Sequence, residues 1–417
     1  MQPTMPAPPD SPQARGTSAS SKPMGRSNRL LIAVRYLWGD EGISTQLIEV
    51  VRYLRSHGWR VGLIWSVPPA ESAGSDNLAW LAEHTDTFYA PFPEPRLTFQ
   101  SFRRAIRSIG ALRDALLAFQ PSVIHLHSLS LSPFFFLLRK TAKCPIAATA
   151  HIEPDPNRID VRLSSIITKF FPSYLGDYFV ATSVKMEEAY LNYLNLPISK
   201  TCIIHYGIDT DRFRPPTSEE FRTARAAFGL ALDERVLCLV GRLDPIKGHP
   251  VLFRALSELS QNGLEVRAIC AGEGGFKEEI KSRAKSLGVD HLVLFPGFCD
   301  PQTVYWASNV NVLPSFREGF ALVIAEGMLA GVVPVRTPAA GVQDQIRDGE
   351  NGFVVPFDDS SALAQRIADL FSDEQRRHRM GRAARRFAAE RFGREQSLGR
   401  LLDFYQKIQS SASHTFY

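Results

Sequence analysis

The chain has 417 residues, 44% hydrophobic and 22% charged, a globular composition too long for one ordinary core, so two domains are expected. No apolar run approaches the roughly 18 residues that span a bilayer, which argues against an integral membrane protein. The formal net charge is only +5 and no binding motif accompanies it, which argues against nucleic acid as a partner.

Residues 1–27 are rich in Pro, Ser and Ala without an apolar centre, and are expected to form a disordered tail and not a secretory signal. Pro3, Pro6, Pro8, Pro9 and Pro12 would break the amphipathic helix of a transit peptide. From Leu30 short apolar runs alternate with amphipathic ones: LLIAV, then a helical stripe of Ile43, Leu47, Val51 and Leu54, then RVGLIWSV, SVIHLHS, PIAATAHI and YFVATS. Strands of such near-continuous apolar character suit a parallel sheet covered on both faces. Residues 28–207 are therefore read as a doubly wound, Rossmann-like domain.

Arg214-Pro215-Pro216-Thr217-Ser218 can extend neither a helix nor a central strand and marks an interdomain break. A second α/β series follows, with strands VLCLVG, EVRAICAG, LVLFPG, VNVLPS, VPVRT and GFVVP and a helical pattern over residues 276–287. Residues 208–393 are read as a second Rossmann-like domain. Residues 394–417, with Leu401, Leu402, Phe404 and Tyr405, are expected to form a helix that crosses back to the first. Two such domains face each other across a cleft, and ligands of open α/β sheets bind beyond the carboxyl ends of the strands.

Cys144, Cys202, Cys238, Cys270 and Cys299 are scattered without a CxxC pair, which suggests neither a disulfide framework nor a zinc site and fits a reducing cytoplasm. His125 and His127 share a strand face, but no carboxylate or Cys stands at a matching spacing, so no metal site is expected.

The basic excess is confined to the first half, where residues 1–205 hold 21 Lys+Arg against 16 Asp+Glu. Two segments stand out. Phe99 to Phe119 carries Arg103, Arg104, Arg107 and Arg113; residues 158–171 interleave Arg162 and Lys169 with Ile159, Leu163, Ile166, Ile167, Phe170 and Phe171. The expected arrangement is two helices packed on the sheet with basic outer faces. The alternative is a peripheral contact with anionic lipid on the inner face of a membrane.

The most informative stretch is PSFREGFALVIAEG, residues 314–327, a strand end, a Gly turn and a helix. At ~1.5 Å rise per residue, Glu318 and Glu326 lie at most about 12 Å apart, a span like that from a ribose to a sugar across a diphosphate. Free amides at the helix start offer an anion site between them. Upstream, VGRLDPIKG places Arg242 and Lys247 after a strand, where two cations neutralise a diphosphate. Taken alone, Glu318 can equally serve a helix dipole, Glu326 a solvated face, and Arg242 and Lys247 an ordinary surface.

Together with HYGIDTDRFRP, AGEGG, TPAAGVQDQIRDGENGFVVP and the first-loop glycines Gly39 and Gly42, these motifs resemble glycosyltransferase family 4 over about residues 30–410. That resemblance implies the two-domain GT-B fold, retention of anomeric configuration and a nucleotide-sugar donor, UDP-linked first and GDP-linked next. It implies that Arg242 and Lys247 hold the diphosphate, Glu318 contacts the donor sugar and Glu326 the ribose. Amides of Gly319, Phe320, Ala321 and Leu322 would assist. His151, in ATAHIE, would stand beside donor sugar and acceptor; Gly39 and Gly42 would touch acceptor or phosphate. No cofactor or metal is implied, and the acceptor, whether saccharide, lipid-linked or small molecule, is not specified. Where relatives often read Pro-Asn-Gly at the crossover, this chain has His205-Tyr206-Gly207. The competing readings are a nucleotide-sugar isomerase or hydrolase of the same fold and an inactive sugar-nucleotide-binding subunit.

Overall fold

The computed structural model describes residues 28–35, 37, 42–66, 76–93, 99–155, 157, 159–171 and 173–412. The tail over residues 1–27 and Gly39 lie outside them.

The first sheet contains β1 (Arg29–Ala33), β2 (Arg60–Trp65), β3 (Asp86–Tyr89), β4 (Val123–Leu126), β5 (Ile146–Ala148), β6 (Tyr178–Ala181) and β7 (Thr201–Ile203) in the order β3-β2-β1-β4-β5-β6-β7. The second contains β8 (Val236–Val240), β9 (Arg267–Ala271), β10 (Val293–Gly297), β11 (Val310–Leu313), β12 (Val333–Arg336) and β13 (Phe353–Val354) in the order β10-β9-β8-β11-β12-β13. Every pairing in both sheets is parallel. In each sheet the strand order reverses beside the first strand of its series, β1 next to β4 and β8 next to β11. A crevice opens at such switch points.

The helices of the first half are α1 (Gly42–Ser56), α2 (Asp76–His84), α3 (Phe99–Phe119), α4 (Ser132–Leu137), α5 (Arg139–Ala142), α6 (Ile159–Phe170) and α7 (Val184–Leu194). Those of the second are α8 (Ser218–Ala227), α9 (His249–Gln261), α10 (Lys277–Ser286), α11 (Pro301–Ala307), α12 (Leu322–Leu329), α13 (Val342–Gln345), α14 (Ser360–Ser372) and α15 (Glu374–Phe392). The expected stripe on α1 is largely internal: Leu47, Val51 and Leu54 are buried against the sheet. Each sheet is covered on both faces, as shown by two separate apolar cores for each half.

The final helix, α16 (Arg394–Ala412), packs its Leu398, Leu401, Leu402, Tyr405 and Ile408 into the core beside β1 and α1. The chain thus crosses between the halves twice. The two crossings are stitched together where Ile208 N donates to Phe392 O at 2.9 Å and Arg394 N donates to Ile208 O at 2.9 Å. Below them Arg394 bridges Glu49 of α1 at 2.9 Å and Asp209 at 3.0 Å.

On α6 the expected basic side chains Arg162 and Lys169 are exposed, but so, unexpectedly, is a larger apolar stripe of Ile159, Leu163, Ile166 and Phe170. The inner face packs Val161 against the core and is also held by polar bonds: Thr168 Oγ1 donates to Leu194 O at 2.9 Å, and Asn195 Nδ2 donates to Ser165 Oγ at 2.8 Å. Periodicity locates a stripe but does not say which side the neighbours cover. Among the described residues no helix is long and apolar enough to cross a membrane.

Candidate active site

Three loops at the carboxyl ends of β8, β9 and β11 form one floor. After β8, Asp244 accepts from Ile246 N at 3.0 Å and caps a 3-10 turn, Pro245–Lys247, that ends at Gly248. Gly248 has φ 76°, and a Cβ there would overlap the carbonyl of Pro314, so only glycine lets this loop meet the one after β11. Phe316 N then donates to Ile246 O at 2.8 Å, and Leu243 N donates to Glu273 O in the AGEGG loop at 3.0 Å. Backbone bonds alone therefore place Lys247 over the β11 loop, and its Nζ donates to Glu318 Oε1 at 2.8 Å.

This pair was not legible in the motifs, which assign Lys247 and Glu318 to different parts of a ligand. Glu318 is buried, and an ion pair formed there satisfies a carboxylate that would otherwise be costly to desolvate. Arg242 lies at the rim, its side chain half exposed and 3.2 Å from Asp244.

The segment from Gly319 to Ala321 is tightly constrained. Ser183 Oγ of the first half donates to Gly319 O at 2.9 Å, and a Cβ at Gly319 would overlap the carbonyl of His151. Ala321 adopts φ 59°, a left-handed conformation that costs a non-glycine residue energy and is retained where surroundings enforce it. The enforcement is visible: Gln345 Nε2 donates to Ala321 O at 3.0 Å, Gln345 Oε1 accepts from Arg336, and Arg336 also donates to the carbonyls of Ala339 and Ala340 at 3.1 and 2.9 Å. Burial lowers the Arg336 guanidinium to about 10, against the pull of Glu318 and Asp344. α12 begins only at Leu322, so the helical rise used to space Glu318 from Glu326 does not apply to the first four residues of that interval. Phe320 is buried, its ring against those of His205, Tyr206 and Phe392.

Glu326 stands within α12. Tyr305 Oη donates to its Oε2 at 3.0 Å, and burial raises the carboxyl to about 7 while that bond and Arg212 pull it down. Gly42, at the start of α1, comes to the same helix: a Cβ there would lie 3.3 Å from Leu322 Cδ1.

The first half supplies a relay of aromatic rings. Tyr405 and His125 Nδ1 are hydrogen-bonded at 2.6 Å, His125 Nε2 and Thr149 at 2.9 Å, His127 Nδ1 and His151 Nε2 at 3.2 Å, and His151 Nδ1 pairs with the Tyr206 hydroxyl. Burial lowers His125 to about 3 and His151 to about 4, and it drives His127 well below its ordinary value, so the three rings are neutral near pH 7. Both nitrogens of His151 are engaged, so an imidazole contact with a ligand requires one bond to open. A small cavity lined by Gln46, His125, His127, Thr149, His151 and Tyr206 lies behind the relay.

Sequence reasoning named His151 and set His127 aside; it missed Tyr206, Ser183, Asp344, Tyr305 and Arg336 as participants. The one available signal was the departure at His205-Tyr206. Both residues are interdomain contacts: His205 Nε2 lies 2.8 Å from Asp344 Oδ1, and the Tyr206 ring packs edge-on against that of Phe320. Among the described residues no group of three or more His, Cys, Asp or Glu gathers as a metal-ligating set.

Residues 41–212 match the family model for Glycosyltransferase Family 4, and residues 220–387 match that for Glycosyl transferases group 1. Each half of the chain thus matches a glycosyltransferase family model, on the two-domain GT-B fold. It is 32% identical over 223 residues to the Bacillus subtilis protein named as glycosyltransferase EpsD, an overlap of 52% of this chain and 58% of that protein. To the D-inositol 3-phosphate glycosyltransferase of Streptomyces avermitilis it is 31% identical over 242 residues, 55% of this chain and 52% of the relative. The chain thus spans about half the length of these curated relatives. The fold is that of Anabaena HepE in complex with UDP and glucose, with TM-score 0.75, 18% identity, 90% of this chain and 99% of that one covered. It is equally that of sucrose-phosphate synthase from Thermosynechococcus elongatus, with TM-score 0.76, 20% identity, 92% and 100% covered.

Proposed function

We propose that this GT-B chain is a retaining glycosyltransferase that moves a sugar from a nucleotide diphosphate donor, a UDP-sugar before a GDP-sugar, to a saccharide, lipid-linked or small-molecule acceptor in polysaccharide or glycoconjugate biosynthesis. The observation that carries the reading is the Lys247–Glu318 pair at 2.8 Å, set beside Gly319–Leu322 and facing His151 of the other half. HepE in complex with UDP and glucose, on the same fold, supports the choice of donor class.

In this reading the donor diphosphate takes Lys247 and Arg242 as its cations. As the glycosidic bond breaks, charge grows on the β-phosphate, and a compact ammonium, a planar guanidinium and backbone amides meet it in a partly desolvated site. Glu318, released from Lys247, turns to the donor sugar, while Glu326 with Tyr305 meets the ribose hydroxyls. His151 lines the sugar from the acceptor side. These cations do the work that a divalent ion does elsewhere, so turnover is expected to survive exhaustive chelation; its loss with EDTA and recovery with magnesium or manganese would refute that part.

The test is a screen of UDP- and GDP-sugars for thermal stabilisation, since a ligand that binds only the folded state raises the melting temperature by mass action. Product analysis with the stabilising donor follows. Sugar transferred to an added acceptor supports the proposal; free sugar or an isomerised donor irrespective of acceptor would replace it with the hydrolase or isomerase.

A further inference from the structure

α13 serves both halves of the molecule. Gln345 turns into its own half, where Nε2 donates to the Ala321 carbonyl at 3.0 Å. Asp344, one residue earlier, turns to the other half. Its Oδ1 and Oδ2 accept from Val184 N at 3.3 and 3.2 Å, and Oδ1 lies 2.8 Å from His205 Nε2. Among the described residues both hydrogen-bond donors to this carboxylate thus belong to the first half, although Asp344 is only 5% exposed. A buried carboxylate without donors is costly, so Asp344 is satisfied only while the two halves keep this one approach.

The element it seats is α7. Val184 is the first residue of that helix, so the carboxylate also meets the positive end of its dipole. Ser183 caps the helix by accepting from Met186 N at 3.3 Å, while its Oγ donates to Gly319 O at 2.9 Å. The loop from Gly319 to Ala321 is therefore gripped from both halves, at Gly319 by Ser183 and at Ala321 by Gln345. At the first grip Gly319 lies so close to the His151 carbonyl that no Cβ fits. Any shift of α7 along the cleft moves these amides relative to His151. The imidazole that Asp344 meets is itself fixed, since the His205 ring stands 5.3 Å from that of Phe320 and 5.2 Å from that of Phe392 between centroids.

We propose that Asp344 is a positioning residue for the transfer reaction: through Val184 N and His205 it registers the acceptor half on the loop from Gly319 to Ala321, and it touches neither donor nor acceptor itself. Its effect on turnover rests on the transfer reading given above. The interdomain register it sets does not.

The experiment has two arms, both on the full chain. Without substrate, hydrogen exchange compares the parent with Asp344→Asn and Asp344→Ala. Protection is expected to fall about tenfold or more in residues 183–187 and 317–322, and to stay within about twofold in the strands of both sheets. Equal protection of those two segments in parent and variants overturns the proposal, whatever the chain catalyses. So does a uniform loss over both sheets, which would make Asp344 a residue of general stability alone. With the stabilising donor and its acceptor, Asp344→Ala should lower kcat about ten- to a hundredfold, the scale for misplacing reacting groups by about an ångström, with the donor Kd by calorimetry within about twofold of the parent. A raised donor Kd with parental kcat would place Asp344 in donor binding and overturn the positioning role. His205 supplies the check from the other half: His205→Ala should reproduce the loss of kcat and of protection, and His205→Gln, whose amide nitrogen takes the place of Nε2, should restore most of both. Parental behaviour of His205→Ala, or no rescue by glutamine, overturns the pairing. Where the Asp344 variants do not fold, the two His205 variants decide by exchange in the same segments. A chain that binds no nucleotide sugar ends the transfer reading and leaves the exchange arm to decide the register.

Discussion

The two halves share a parallel scaffold but build their chemistry differently. In the C-terminal half the charged groups stand on short loops at strand ends, and each loop is aligned by backbone bonds to its neighbour, as Phe316 N to Ile246 O and Leu243 N to Glu273 O show. In the N-terminal half the matching surface is a relay of neutral rings drawn from Tyr405, His125, His127, His151 and Tyr206, separated by up to 280 residues. Groups that meet an anion work near water and can be assembled locally. Neutral imidazoles must be desolvated, and only packing from several distant segments achieves that.

The largest expected effect tests the local half. Lys247→Ala should lower turnover by about 10²–10³, the scale for removing one preorganised stabiliser of growing charge, whereas Arg242→Ala should cost less because its guanidinium is half exposed and shared with Asp244. Steady-state rates with the stabilising donor measure both, and normal turnover in each would place the diphosphate elsewhere.

His151→Ala probes the other half. Turnover should fall by roughly 10² while donor affinity by calorimetry stays close to the parent, since the nucleotide is assigned to the opposite domain. A variant with parental turnover would remove the ring from the site.

Glu326→Ala should weaken donor binding by about 1–3 kcal/mol through a lost partner for buried polar groups, and Glu318→Gln should act mainly on turnover. Equal affinity losses with no effect on rate would erase the division of roles between the two carboxylates. Tyr206→Phe should change turnover only several-fold and leave donor affinity alone, with a shift in the pH profile because one bond to His151 Nδ1 is gone.

The mildest contrast is in stability against pH. The histidines of the relay have folded values well below the ordinary 6.5, His125 about 3 and His151 about 4, so the unfolded state binds more protons below about 6.5. Their contribution is complete above that pH and is lost as pH falls toward 4. Glu326 runs the opposite way: raised to about 7, its contribution is complete below the ordinary carboxylate value and is lost as pH rises through 7. Hydrogen-exchange protection factors, which are corrected for the intrinsic slowing of exchange in acid, should therefore fall first in the N-terminal sheet on acidification. A uniform fall across both sheets would break the contrast.

Much of the architecture was legible because parallel strands covered on both faces must be apolar along their whole length. LLIAV, VLCLVG and EVRAICAG show that directly, and Arg214-Pro215-Pro216 shows the break between the two series. β3 escaped notice for the converse reason: it is an edge strand of four residues, largely only half-buried, and DTFY carries no continuous apolar run. The donor-side residues could be named because they lie within contiguous motifs, where chain connectivity already limits their separation.

What the chain order could not reveal depends on relations between segments. The inward side of α6 is chosen by Leu194 and Asn195, which accept and donate to its polar residues, and no periodicity within the helix encodes that choice. The Lys247–Glu318 bond joins residues 71 apart in sequence through the approach that Gly248 permits, and the His151–Tyr206 bond joins two loops of the first sheet. Sequence by itself determined the strands, their parallel character and the residue types gathered at their ends, because these follow from burial pattern and local bonding. Tertiary structure alone decided which charges are paired, which rings are dry and which apolar stripe faces water, because desolvation and ion pairing are set by whatever distant part of the chain comes to lie alongside.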